Sequence, residues 1–233
     1  ELKAKMQIAF EQGLIEKIEY LPSKTYAGGI YERSRKSLQL PLQVLDNSPM
    51  ERGRAAELVF TMGHEVKHAI NSPGNHEPIK NAFAQAAKIA TSPESVHDYT
   101  PVAAEIIRIE RINEASANIA GFNAIVSKLR QERPESAPSL AQLYNELPHR
   151  MGDFIDRSGA APKFEYRLKS GLTPEKDMML TYSGDNIEAS GRYYFDKPAS
   201  EASLGKYGNQ DYRHYYCDFV FGHIDKIEKP AGH

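Results

Sequence analysis

His64-Glu65-Val66-Lys67-His68 sits within a stretch, from about Glu51 to Ile70, whose apolar residues recur at helical spacing: Leu58, Val59, Met62, Val66, Ala69 and Ile70. Four residues make about one helical turn, so His64 and His68 project from the same face, one above the other. Imidazoles so stacked offer two corners of a tetrahedral zinc site. Glu65, one position on, is angled beside such a site and not onto it, where it can take a proton from a water the metal activates. A solvated helix with two surface histidines is the plain alternative. Gly63 weighs against it, because glycine costs a helix interior about 1 kcal/mol relative to alanine. A glycine there makes more sense if something packs against the backbone.

Two histidines do not complete a catalytic zinc site. In the extended pattern His-Glu-x-x-His-x-x-Gly-x-x-His, the last two named positions here hold Asn71 and Gly74, and His76 is out of register. The other solution takes a glutamate from a second helix. The helical pattern over Pro101 to Gln131 offers Glu105, Glu110 and Glu114. Glu114 and Asn118 lie one turn apart and face the same way, with Ala117 and Gly121 small enough on that side for close helix packing. Glu114 is therefore the leading third ligand, with Glu105 and Glu110 as alternatives. Asn118 is placed to accept a hydrogen bond from the far nitrogen of a ligating histidine.

The remaining sequence sets limits. The chain has 233 residues, enough for one well-cored domain or two closely packed lobes, and 40% hydrophobic with 26% charged residues is ordinary for a globular protein. A net charge of −2 without a basic stripe argues against nucleic acid as a partner. No apolar run is long enough to span a membrane. The single cysteine, Cys217, excludes an internal disulfide framework and reads as a small apolar side chain. The chain opens at Glu1 without methionine, which reads as an excised fragment or a processed product.

The pattern predicts a helix over 2–18, with its end blurred by Gly13. A hairpin follows, with strands before and after the Arg33–Lys36 loop, in which Leu38, Leu40 and Leu42 alternate with polar or proline positions. Gly28 and Gly29 suit the close approach of a ligand's backbone, or a bulge or bend. After the Asp46–Pro49 turn, the motif helix is expected to stop at Asn71-Ser-Pro-Gly-Asn. Helices are expected over 78–90 and 101–131, and over 139–157 with an interruption at Pro148. Pro134 to Pro138 is the clearest break and the best place to divide two lobes. Strand-like runs cover Met178–Tyr182, Gly191–Phe195 and His214–Ile224. On a strand, Tyr212, His214 and Tyr216 would share a face. His214 and Tyr216 are the candidates for the second catalytic donor that peptide hydrolysis needs, with Tyr193, Tyr194, His149 and His223 as further possibilities. Alternating aromatics also fill cores.

His64-Glu65-x-x-His68, followed some fifty residues later by Glu114-x-x-Ala117-Asn118, resembles the gluzincin metallopeptidases. Many of these carry Glu-x-x-Ala-Asp on the second helix; here Asn118 stands in the acidic place, as in small bacterial peptidases related to the antitoxin- and repressor-cleaving group. The likeness covers roughly residues 25–125. It implies an α+β, zincin-like fold: a short antiparallel sheet packed on an active-site helix, a helical middle and a tyrosine-rich C-terminal lobe. Residues 1–233 would form a single domain, with an N-terminal lobe to about residue 72 and a C-terminal lobe over 73–233. It also implies Zn2+ as cofactor, a protein or peptide substrate, and a zinc endopeptidase acting through Glu65. Similar compact domains end bacterial toxins and injected effectors, so the expected setting is secretion or delivery to a target cell, with an immunity or inhibitor protein as a further partner. The alternatives are a cytoplasmic peptidase cleaving a repressor or antitoxin, and an inactive zinc-binding interaction module.

Overall fold

The structure, a computed structural model, describes residues 2–21, 28–41, 52–205 and 207–231. Helix α1 (Leu2–Glu11) is shorter than the 2–18 helix expected. Gly13 stops it. Its φ of +62° suits a residue without a Cβ, and the N–H groups of Gly13 and Leu14 turn back to the carbonyls of Phe10 (3.0 Å) and Ala9 (2.8 Å), capping the helix C-terminus. The residues beyond are freed to form strand β1 (Lys17–Leu21).

Strands β2 (Ile30–Glu32) and β3 (Ser37–Pro41) form the expected antiparallel hairpin, with Tyr31 opposite Leu38. A 3-10 turn over Arg33–Arg35 joins them, closed by Lys36 in the left-handed region. The sheet order is β1-β3-β2, and β1 runs parallel to β3. The sheet is therefore mixed, where an antiparallel one was expected: the hairpin inserts its second strand beside β1, whose direction it shares. Leu38 and Leu40 are buried with Ala9, Ile15, Val66 and Ala69, which seats the sheet on the motif helix. The outer parts of the expected hairpin strands, the Asp46–Pro49 turn and Glu51 lie outside the described residues.

Helix α2 (Arg52–Ala90) carries the motif and overruns its expected end. It continues through Pro73 and Pro78 and absorbs the separate helix expected over 78–90. Proline's φ fits a helix, and the cost of each interior proline, about 3 kcal/mol, is outweighed by packing. Asn71 does not cap an end; its amide donates to Asn113 Oδ1 (3.1 Å) and Ser116 Oγ (2.7 Å) on helix α3 (Thr100–Glu132). Ala82 and Ala86 bury against Val102, Ala103 and Ile106. Residue 72, where the lobes were expected to divide, lies inside this helix.

The two long helices run antiparallel, since Phe60 meets Gly121 while Asn71 meets Asn113 and Ser116. Helix α4 (Leu140–Glu146) begins with a capping box between Ser139 and Gln142, and Pro148 opens a separate helix α5 (Pro148–Met151). The helix expected over 139–157 is thus split and ends early. A hairpin of β4 (Ile155–Ala160) and β5 (Lys163–Leu168) follows, which the sequence reading missed.

The strands expected in the last third are corrected. Met178–Tyr182 makes one isolated bridge, Leu180 to Pro174. Gly191–Phe195 ends helix α6 (Gly184–Tyr194), and after the short α7 (Ala199–Ala202), His214–Ile224 lies within helix α8 (Tyr212–Ala231). The β-propensity of tyrosine suggested strands, but the inward positions Tyr212, Tyr216, Val220 and Ile224 recur every fourth residue, a helical period. The class is α+β, with long helices and two small sheets. No helix among the described residues is long and apolar enough to cross a membrane.

Candidate metal centre

The motif residues come together where α2, α3, β2 and α8 meet. Gly63 shows how closely α3 approaches: a Cβ there would lie 2.8 Å from the Ala120 carbonyl oxygen and 2.9 Å from the Ala124 methyl. A Cβ on Gly121 would lie 2.7 Å from the Phe60 ring. This is the backbone packing expected at Gly63, and the small-residue face expected on α3.

The close approach brings Glu114 onto the histidines. His64 Nε2 and His68 Nε2 are 3.0 Å apart, and Glu114 Oε2 is 3.5 Å from the first and 3.8 Å from the second. Ligands about 2.05 Å from a tetrahedral zinc ion are separated by about 3.3 Å; these three atoms, 3.0 to 3.8 Å apart, form a cluster that could hold a metal ion. The other two glutamates weighed as ligands stand apart: Glu105 pairs with Arg108 at 2.7 Å on the solvent side, and Glu110 accepts from Asn113 at 3.1 Å.

Glu114 is buried, which pushes its carboxyl up. His68, His64 and the Tyr216 hydroxyl outweigh this and hold it at about 2. Burial pulls His68 down, but the Glu114 and Glu65 carboxylates prevail and raise it. The buried carboxylate and the imidazole beside it thus stabilise each other's charge.

Glu65 is held beside the cluster by β2. The Tyr31 N–H donates to Glu65 Oε2 at 2.8 Å, and a Cβ on Gly29 would lie 2.5 Å from Thr61 Cγ2 and 3.1 Å from Glu65 Cγ. What approaches Gly29 closely is α2 of the chain itself, where the sequence suggested a ligand's backbone. Glu65 is 7% exposed, on the wall of a cavity of about 840 Å³ that Tyr31, Glu110, Arg150, Tyr194 and Tyr216 also line.

Two expected roles are not found. His214 is exposed and bound to Asp211 (Nδ1 to Oδ1, 2.8 Å). It lies two residues from both Tyr212 and Tyr216, about 200° round the helix, so it faces away from the cavity they line. Asn118 is fully buried, but neither atom of its amide is hydrogen-bonded. Asn113, one position before Glu114, accepts from Asn71 (3.1 Å) and donates to Glu110 (3.1 Å). The antiparallel crossing sets Gly121 against Phe60 and Asn113 and Ser116 against Asn71, so Asn118 lies between these two contacts along α3. Nothing in the structure accounts for the unsatisfied Asn118 amide.

Tyr216 reaches the site in a different role from the one expected. Its hydroxyl donates to Glu114 Oε1 at 2.7 Å, which orients that carboxylate. Tyr194 lies edge-on to His64, with ring centroids 5.9 Å apart, and accepts a hydrogen bond from Tyr212. Burial, with the Glu114 charge next, pushes its hydroxyl well up and keeps it a donor. Of the other possibilities, Tyr193 bonds the Ser170 carbonyl and His223 stacks on Phe83, both away from the cluster, while His149 pairs with Glu57 at the cavity edge.

Arg150 was missed. Its Nε and Nη2 donate to Glu57 Oε1 at 3.1 and 2.6 Å, and its guanidinium lies 5.1 Å from the Phe60 ring centroid. Glu57 is 93 positions away, so no local pattern announced the pair. Compared with known proteins, the chain matches no family model, no curated protein and no solved structure.

Proposed function

We propose that this chain is a zinc-dependent endopeptidase of zincin-like architecture. The observation that carries the reading is the spacing of His64 Nε2, His68 Nε2 and Glu114 Oε2 at a tetrahedral edge, with the Glu65 carboxylate held beside them. Zinc bound there would lower the pKa of a water toward neutrality and polarise a substrate carbonyl.

The chain's own residues supply the rest. Glu65, with one oxygen fixed by the Tyr31 N–H, keeps the other to accept the proton of the attacking water and hand it to the departing amine. Tyr194 accepts from Tyr212, which leaves its own proton to donate to the developing oxyanion. Tyr216 fixes Glu114 through its hydroxyl. Strand β2 is a sheet edge whose residues line the cavity, so a substrate there lies beside it. The setting, by likeness in size and motif order, is the catalytic module of a secreted bacterial toxin or effector.

The test is metal content with turnover. Purified protein should carry one zinc per chain and cut a peptide substrate. Glu65→Gln should keep the metal and lose at least about 100-fold in rate. Glu114→Ala should lose the metal. Protein without stoichiometric zinc would end this reading, and zinc without cleavage would favour an interaction module.

A further inference from the structure

Arg150 is a cation on the cavity wall with only part of its hydrogen-bonding capacity used. Glu57 occupies Nε and Nη2, and Phe60 covers one face. Nη1 makes no hydrogen bond among the described residues, which leaves its N–H groups for the cavity that Arg150 lines. Glu57 also meets His149 Nε2 at 2.8 Å, so one carboxylate serves two basic groups and fixes the guanidinium from behind.

The position of this cation relative to the reacting centre follows from two adjacent glycines. A Cβ on Gly28 would lie 3.0 Å from Arg150 Nη2, and a Cβ on Gly29 would lie against Glu65. Neighbouring α-carbons are about 3.8 Å apart. Arg150 and Glu65 therefore flank successive residues of the segment leading into β2, and Phe60 lies one turn before His64 on α2. A planar cation fixed this close to the catalytic carboxylate matches a carboxylate in geometry and charge.

We infer that Arg150 binds a carboxylate of the substrate within one or two residues of the bond that is cut, so the enzyme selects acidic substrates. This rests on the peptidase reading for the bond, though not for the binding. The carboxylate has two sources: an acidic side chain, which keeps the enzyme an endopeptidase, or a free C-terminus, which makes it a carboxypeptidase.

The experiment is calorimetric titration of Glu65→Gln protein with two pairs of short peptides. One pair is capped at both ends and differs as Glu against Gln at an internal position; the other is neutral and differs as C-terminal acid against amide. In one pair the carboxylate member should bind about 10- to 100-fold more tightly, and the pair that shows it names the source. The preference should vanish when Arg150→Gln is added and weaken with Arg150→Lys, which keeps charge without the fork. Adding Arg150→Gln together with Glu57→Gln repeats the test without a stranded carboxylate, should the single change unfold the protein. Equal binding within both pairs, no binding of any peptide, or a preference that survives Arg150→Gln would overturn the inference. Loss of zinc or turnover in the wild type, with the preference intact, overturns the peptidase reading and leaves Arg150's role standing.

Discussion

Glu114 meets more demands than any other side chain in the cluster. One oxygen faces two imidazoles and the other accepts from Tyr216. Removing that donor should loosen the ligand without removing it. Tyr216→Phe is expected to weaken zinc binding about 10- to 100-fold, as changes to groups that orient metal ligands do, read by competition with a chelator. Unchanged affinity would show that the hydroxyl does not orient the ligand. Gly63 tests the packing beneath. Helix propensity favours alanine by about 1 kcal/mol, whereas a Cβ 2.8 Å from a backbone carbonyl meets an atom that cannot swing aside. Gly63→Ala should therefore cost net stability, about 1 to 2 kcal/mol in denaturant unfolding; a gain would mean that the helices separate freely. These residues were legible because their chemistry is local: His64, Glu65 and His68 are set by a helical turn, and Gly63 and Gly121 by the lack of a side chain. Arg150 was not legible, because its meaning depends on Glu57 and Gly28 from distant parts of the chain.

The long helices and the sheet seat could be read from apolar periodicity, but element ends could not. Asn71-Ser-Pro-Gly-Asn carries every local signal of a helix stop, and α2 runs through it because Asn71 is bonded to α3 and Ala82 and Ala86 are buried beyond. In α8 the spacing of Tyr212 and Tyr216 fits either a strand face or a helix turn, and only Val220 and Ile224 extend it at four. The tie between α2 and α5 has its own signature. Burial pushes the Glu57 carboxyl up, but hydrogen bonds from His149 and Arg150 hold it at about 2. A carboxyl depressed on folding stabilises the native state above its unfolded pKa, near 4.3. That contribution should drain away as pH falls from about 4.5 toward 2. Glu57→Gln should make the melting temperature fall less steeply over this range, with the remainder carried in part by Glu114, also held at about 2; an unchanged slope in the variant would assign it to other groups.

At the scale of the molecule, α2 joins all its parts. Its Val66 and Ala69 lie under the sheet, its histidines lie in the middle, and its Ala82 and Ala86 belong to the core that includes Val220 and Ile224 of α8. Bound zinc adds to native stability by mass action, so chelation should lower the melting temperature of the wild type but leave Glu114→Ala unmoved. A delivered toxin makes a separate prediction: the wild type, and not Glu65→Gln, should stop bacterial growth in one compartment, cytoplasm or periplasm, and be harmless in the other. Growth unaffected in both would favour a housekeeping peptidase. The prolines of α2 also have a mechanical consequence. Pro73 and Pro78 remove rungs from the helix ladder beyond His68, so this rod flexes most cheaply there. The histidines ride with the sheet on one arm, while Phe83, on the other, packs against Phe219 and His223 of α8. Because α8 also carries the hydroxyl that grips Glu114, a bend at the prolines would tug on that carboxylate, joining the widening of the cleft to the geometry of the cluster.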